Sequence, residues 1–375
     1  LSRAALDDTT RQTAVPCMLM RGGTSKGVVV LARDLPADPA QRDRVLLAIM
    51  GSPDPRQIDG VGGAEPLTSK VAIVSRSTLP GVDIDYLFAQ VLIDKPVVDV
   101  SPNCGNMLAA VGPFAVERGL VAAQHPVTAV SIHMVNTGNR AIATLQTPGG
   151  RMRYDGATAI AGVPGCAAPV AIEFMDTAGS VCNSMLPTGR ARDRAAGIEI
   201  TCIDNGMPVV VIPAVAMGKT GHESPAELDA DPGFKARLEA LRIEAGVLMG
   251  LGDVRAKVVP KMTLISAPRG GGHVGTRTFI PHRCHAAIGV LGAVSVATAC
   301  ALPGSVAEGI VQLPSGAPLV FSVEHPSGEF TVTLEVSGKS VADFRVGRSG
   351  ILRTARVLMD GAAMVPRAVW TGVQP

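Results

Sequence analysis

The chain has 375 residues, 47% of them hydrophobic and 18% charged, so intrinsic disorder is excluded and two domains are expected from length. Its 34 Lys and Arg nearly balance 32 Asp and Glu, and the bases never run longer than a pair, so nucleic-acid binding has no electrostatic footprint. With 3% aromatic residues there is little on which to stack bases, and 42 glycines and 28 prolines imply many tight turns around a core of Val, Ile, Ala, Leu and Met. Seven cysteines, an odd number without pattern, argue for a reducing compartment, and the polar, acidic stretch up to Pro16 lacks an apolar signal core. A cytoplasmic, soluble protein is expected.

The first polar feature in chain order is Arg21-Gly22-Gly23-Thr24-Ser25-Lys26-Gly27, a glycine-rich loop that enters the strand Val28 to Leu31. It lacks the spacing of a phosphate loop, and Gly218-Lys219-Thr220 lacks it too, but Thr24, Ser25 and backbone N–H groups are donors suited to carboxylates. No G-x-G-x-x-G follows a strand, so a dinucleotide cofactor is not expected. Asp38-Pro39, the apolar face Val45, Leu46, Ile49 and Met50, and Gly51 predict a helix with an N-cap, a first-turn proline and a C-terminal glycine. Lys70 follows Gly62-Gly63-Ala64-Glu65-Pro66-Leu67-Thr68-Ser69 and opens a strand through Ser75. Desolvation at the inner end of a strand would make such a lysine a general base, although most lysines are solvated surface groups.

Strands are predicted at Tyr86 to Ile93 and Val127 to Val135. Between them, Asn103-Cys104-Gly105-Asn106-Met107 leads into an apolar helix. A cysteine at a helix N-terminus makes either a reactive thiol or part of a carboxylate pocket, the plain alternative being a small buried hydrophobe. Ser224-Pro225 predicts a second amphipathic helix running to about Met249, and strands follow at Phe330 to Val336, Asp343 to Val346 and Leu352 to Met359. The longest apolar run, Ala286 to Leu302, is short for a bilayer span and reads as a buried core helix. His282, Arg283, Cys284 and His285 crowd its start. No C-x-x-C or H-E-x-x-H partner set accompanies them, so a cationic lip for an anionic substrate is expected rather than a metal site.

Two segments resemble each other. In both NCGNMLAAVGPFAV and RCHAAIGVLGAVSV a Cys precedes an apolar helix, with Gly112 or Gly292 and Val116 or Val296 at matching offsets. Cys17 leads into VVVL as Cys202 leads into VVVI. A duplicated domain is expected, each copy a curved sheet wrapped around one central helix.

The stretches RGGTSKG, QIDGVGGAEPLTSKVAIV, NCGNMLAAVGPFAVERGLV, CIDNGMPVVV and IPHRCHAAIGVLGAVSVATAC resemble the PrpF family, and the resemblance runs from Cys17 to Trp370. It implies an α+β architecture of two pseudo-symmetric, diaminopimelate epimerase-like domains, with the active site in the cleft between the halves. The domains are placed at 1–189 with 352–375, and at 190–351. The implied activity is cofactor-independent proton transfer, by tautomerisation or 1,3-allylic isomerisation of a small di- or tricarboxylate. 4-Oxalomesaconate is the first expected substrate and 2-methylaconitate the alternative. A carboxylate-binding accessory protein is the alternative from a different class. The family's catalytic lysine and cysteine fall on Lys70 and Cys104. Thr24, Ser25, Ser69, Gly105, Asn106, Arg283 and His285 are expected substrate contacts. Cys284 stands in HRCHAAIG instead of the C-G-T-G turn of two-cysteine epimerases, so its role as a second thiol stays open, as does a homodimer.

Overall fold

Val- and Ile-rich runs punctuated by Gly and Pro form strands on both sides of two nearly all-apolar helices. The computed structural model describes residues 12–101 and 103–372, so most of the polar N-terminal stretch read above lies outside the described residues. The chain divides into two units. One comprises the described residues up to Ile172 together with those from Arg353 onward, the other Glu173–Leu352.

In the first unit β1 (Gln12–Gly22) and β2 (Ser25–Leu31) form an antiparallel hairpin, followed by α1 (Pro39–Met50). β3 (Lys70–Arg76) runs parallel to β2, and β4 (Ile84–Val91) antiparallel to β3, with the short β5 (Val98–Asp99) beside β4. After α2 (Gly105–Glu117), β6 (Val127–Met134) lies parallel to β4 and β7 (Asn139–Gln146) antiparallel to β6. β8 (Pro169–Met175) spans the boundary, inside strand sequence that carries no linker signal.

The second unit contains β9 (Asp193–Ala195), β10 (Ile198–Asp204), β11 (Pro208–Pro213), α3 (Pro225–Asp229), α4 (Pro232–Leu248), β12 (Lys261–Ser266) and β13 (Val274–Phe279). α5 (Val290–Ala301), β14 (Leu319–His325), β15 (Gly328–Ser337) and β16 (Arg345–Pro366) follow, and the later part of β16 pairs with β1 in the first unit. The order of pairings repeats. β10–β11 is antiparallel, β11–β12 parallel, β12–β13 antiparallel, β13–β14 parallel and β14–β15 antiparallel, as in β1 to β7. Cys17 and Cys202 sit on the corresponding strands, opposite Val30 and Val210.

In each unit the sheet has a helix against each face. α2 packs on β1, β2, β3, β4 and β7, and its stretch from Met107 to Ala115 is buried throughout. α5 packs on β10, β11, β14 and β15, buried from Gly292 to Cys300. A helix enclosed this way must be apolar all round, and small residues let the sheet close on it. The opposite faces carry α1 over Val28, Val30, Val71 and Ile73, and α4 over Val210, Ile212, Met262 and Leu264.

α1 forms as its sequence dictates: Asp38 accepts from the Gln41 N–H at 2.8 Å, Pro39 occupies the first turn, and Gly51 ends it at φ 77°. Two expectations need correction. The helix opened by Ser224-Pro225 stops at Asp229, because Asp231 caps a new start through the Phe234 N–H (2.9 Å) and Pro232 cannot continue the old one. The apolar run after His285 becomes helical only at Val290, with Gly289 as N-cap. Cys104 caps α2 directly, whereas Cys284 lies ahead of α5 in an isolated bridge with Phe279, so the two cysteines are not at matching helix starts. No helix among the described residues is long and apolar enough to cross a membrane.

Candidate active site

The glycine-rich loop owes its composition to close backbone approach. A Cβ at Gly22 or Gly23 would run into the carbonyl or side-chain oxygen of Asn106, and one at Gly27 into the Lys70 carbonyl; Gly23 also has φ 52°. The β1–β2 turn therefore lies directly on the first turn of α2. Arg21 Nη1 pins it by donating to the carbonyls of Gly23 (2.8 Å) and Thr354 (3.0 Å). Thr24 Oγ1 accepts from Asn106 Nδ2 at 3.0 Å. Among the described residues the hydroxyl of Ser25 and Oδ1 of Asn106, both buried, have no hydrogen-bond partner, an expensive arrangement unless a ligand or water completes it. Arg353 of β16 packs its stem beside Gly23; burial lowers its pKa to about 10.

Lys70 opens β3 on the face turned toward α2, since the next residue, Val71, belongs to the cluster under α1. It is 7% exposed, which for a lysine means a buried stem with little water at its tip. Its Nζ donates to Gln90 Oε1 at 2.8 Å and stands 5.0 Å from the centroid of the Phe88 ring. Gln90 is the cross-strand partner of Lys70, and its Nε2 donates to the carbonyls of Pro66 and Ser69, both at 3.0 Å. Those two bonds fix the amide so that its oxygen faces the lysine. Ser69 is itself scaffold: its hydroxyl is engaged by Gln57 Oε1 (2.7 Å) and the Glu65 carbonyl (2.9 Å), bracing the turn before Lys70.

Cys104 is the half-buried N-cap of α2; its carbonyl accepts the Leu108 N–H at 3.0 Å, while its thiol makes no capping bond. No acidic residue occupies the first turn, so the free N–H groups around Gly105 and Asn106 suit a bound carboxylate. Tyr86 Oη donates to the Cys104 carbonyl at 3.2 Å. Burial, and then charge on the nearby Cys104, push that phenol well above its ordinary range, so it stays protonated. Tyr86, Phe88 and Gln90 alternate along β4 and serve Cys104 and Lys70 from one face. Sequence reading missed all three; the period-two pattern was visible, but the register opposite Lys70 was not.

The second unit treats its expected residues differently. Arg283 is exposed, its Nε 3.9 Å from Asp229 Oδ2. Cys284 donates its N–H to Asp229 Oδ1 at 2.8 Å and packs with Cys202, Met262 and Phe279 on the α4 side of the sheet, away from α5. Burial pushes its thiol up to about 12, against the pull of Arg277, so it is neither a ready thiolate nor on the α5 side. His285 Nδ1 accepts the Ala287 N–H at 2.8 Å, and burial holds its pKa below the ordinary value. The expected cationic lip is thus a neutral imidazole beside an exposed arginine. Among the described residues no group of three or more His, Cys, Asp or Glu is placed to hold a metal.

A repeated unit in which a sheet encloses one apolar helix defines a diaminopimelate epimerase-like fold. Residues 12–366 match the family described as PrpF protein, and the chain belongs to that family. It is 57% identical to the (4E)-oxalomesaconate Delta-isomerase of Novosphingobium sp. (strain KA1), over 94% of this chain and 98% of that protein. It is 55% identical to the 4-oxalomesaconate tautomerase of Pseudomonas putida (strain KT2440), over 96% of this chain and 99% of that protein. The crystal structure of a methylitaconate-delta-isomerase superposes with a TM-score of 0.83 at 34% identity, covering 96% of this chain and 97% of that one.

Proposed function

We propose that the protein is an isomerase that tautomerises 4-oxalomesaconate by proton transfer, without a cofactor, in the cytoplasmic breakdown of aromatic compounds. The observation that carries this reading is the buried Lys70 amine, held by Gln90 on the strand face turned toward α2, whose N-cap is Cys104. High identity to two enzymes named for 4-oxalomesaconate supports the substrate, and seven free cysteines support a reducing compartment.

In the proposed reaction Lys70 removes a proton next to the conjugated carbonyl, and the electron pair moves into a dienolate. Cys104 then delivers a proton at the remote end, and reprotonation of the thiolate by Lys70 or solvent restores the start. Nothing is oxidised or reduced. The added charge of the dienolate is carried by fixed donors, the α2 N–H groups and the Thr24 and Ser25 hydroxyls, which need no reorganisation as the charge develops. Incubation with 4-oxalomesaconate in deuterated water, followed by ultraviolet absorbance and NMR, is expected to show an absorbance change with deuterium at the carbon that receives the proton. Unchanged absorbance without deuterium uptake would overturn the reading, and turnover of 2-methylaconitate alone would reassign the substrate.

Two expected outcomes test the roles assigned around the pair. Gln90→Glu puts a carboxylate beside the lysine, which favours its protonated form. The acid limb of the kcat/KM profile, where the base must lose its proton, should therefore move up by about one to three pH units. A profile superimposable on that of the native enzyme would remove Gln90 from the site. Cys284→Ser should leave turnover at the native level, because the thiol lies on the α4 side of its sheet; a marked fall in kcat would restore it as a second acid or base.

A further inference from the structure

The repeat of strand pairings gives Lys70 a counterpart. Lys70 is the first residue of β3, in parallel register with Gly27 of β2; Lys261 is the first residue of β12, in parallel register with Val209 of β11. Both face the enclosed helix of their own unit, since Val71 and Met262, the residues that follow them, belong to the clusters on the opposite faces. Lys261 is 9% exposed, as closely enclosed as Lys70 at 7%.

The two lysines differ in their partners. Lys70 has Gln90, whereas Nζ of Lys261 has neither a hydrogen bond nor an ion pair among the described residues. Nor is that nitrogen one of the fully sealed, unpartnered polar atoms, so it keeps a path to solvent. The surrounding groups offer it nothing. Arg242 of α4, which repels it, occupies Glu239 through two bonds of 2.7 and 2.8 Å and donates to the Val254 carbonyl at 2.9 Å. The Thr263 and Thr278 hydroxyls bond each other at 3.0 Å. His285 donates its N–H to the Thr278 carbonyl at 2.8 Å and follows Cys284, which lies on the α4 side, so its ring is on the sheet face that carries Lys261. Its Nδ1 accepts from Ala287, so the neutral ring carries its proton at Nε2. An amine with no acceptor, on the same sheet face as a ring whose remaining nitrogen donates, is a site short of an anion.

We propose that Lys261 and His285 form a carboxylate-binding site in the second unit. The choice of a carboxylate rests on the substrate proposed above, which carries three; the site itself rests on the unpartnered amine. Without an anion, burial and the Arg242 charge bring the Lys261 pKa down to about 8. A bound carboxylate supplies the acceptor that Gln90 supplies to Lys70 and favours the ammonium. Binding and protonation are then linked.

The test uses the full chain and tricarballylate, a saturated tricarboxylate that cannot isomerise, so it is read whether or not the protein turns over 4-oxalomesaconate. The Lys261 amine is followed by NMR in protein with isotope-labelled lysine, its signal assigned from Lys261→Met. Saturating tricarballylate should move its titration midpoint up by about one unit or more, which by linkage is a tenfold preference of the anion for the protonated site. By calorimetry, Lys261→Met should bind tricarballylate roughly tenfold or more weakly while melting no lower than the native protein, since it replaces an unpaired buried amine with an apolar chain of similar length. An unmoved midpoint, or an affinity for Lys261→Met equal to that of the native chain, would overturn the proposal. If Lys261→Met does not fold, Lys261→Gln takes its place for the assignment, and the midpoint in the native protein decides. Failure of turnover with a shifted midpoint would overturn only the proposed reaction.

Discussion

Lys70→Met lowers the kcat for 4-oxalomesaconate by about a hundred- to ten-thousand-fold, the range spanned by loss of a positioned general base, and leaves the protein folded. Methionine has nearly the length of lysine, is flexible and is apolar, so it can fill the same channel beside Phe88. Among the described residues the hydrogen bond lost is the one to Gln90 Oε1, and Gln90 keeps both carbonyl contacts through its Nε2. Thermal denaturation should therefore show a midpoint close to the native one. Native turnover in this variant would remove Lys70 from the chemistry, and a collapsed melting transition would show that the amine holds the fold instead.

Cys104→Ser separates activity from stability in opposite directions. Turnover should fall by a similar factor of about a hundred to ten thousand, because a hydroxyl is a far weaker proton donor than a thiol. Stability should hold or rise by about 0.5–1 kcal/mol, because serine is a favoured N-cap and the native thiol makes no capping bond. Cys104→Ala supplies the control: equally inactive, without the new cap. Kinetics and thermal melts on the three proteins check this, and full activity in the serine variant would rule out the thiol as acid. The contrast between a better cap and a dead enzyme is the pattern expected where chemistry, not stability, selects the residue.

Local features were legible in the chain. α1 follows from Asp38, Pro39 and Gly51, and the strand at Val28 to Leu31 from its β-branched run, because caps and alternation act within a few residues. The repeat was legible through Cys17 with VVVL and Cys202 with VVVI, which proved to be corresponding hairpins. Where a short-range signal competed with a neighbour, it misled. The Ser224-Pro225 start is real, but Asp231-Pro232 begins another helix almost at once. The parallel between Cys104 and Cys284 is real as spacing, yet only one of them caps a helix.

By itself the sequence determined the element types, the duplication and, through motif resemblance, the lysine and cysteine of the proposed reaction. Only the tertiary structure decided what surrounds them. Gln90 faces Lys70 and Tyr86 reaches Cys104 because β3 and β4 pair in one register, and a slip of one residue would turn both away. The same alternation puts Cys284 with the α4-side cluster and Lys261 on the α5-facing side, a distinction that no spacing along the chain records. Strand register is a long-range property, fixed by which faces bury apolar side chains once the sheet closes on its helix.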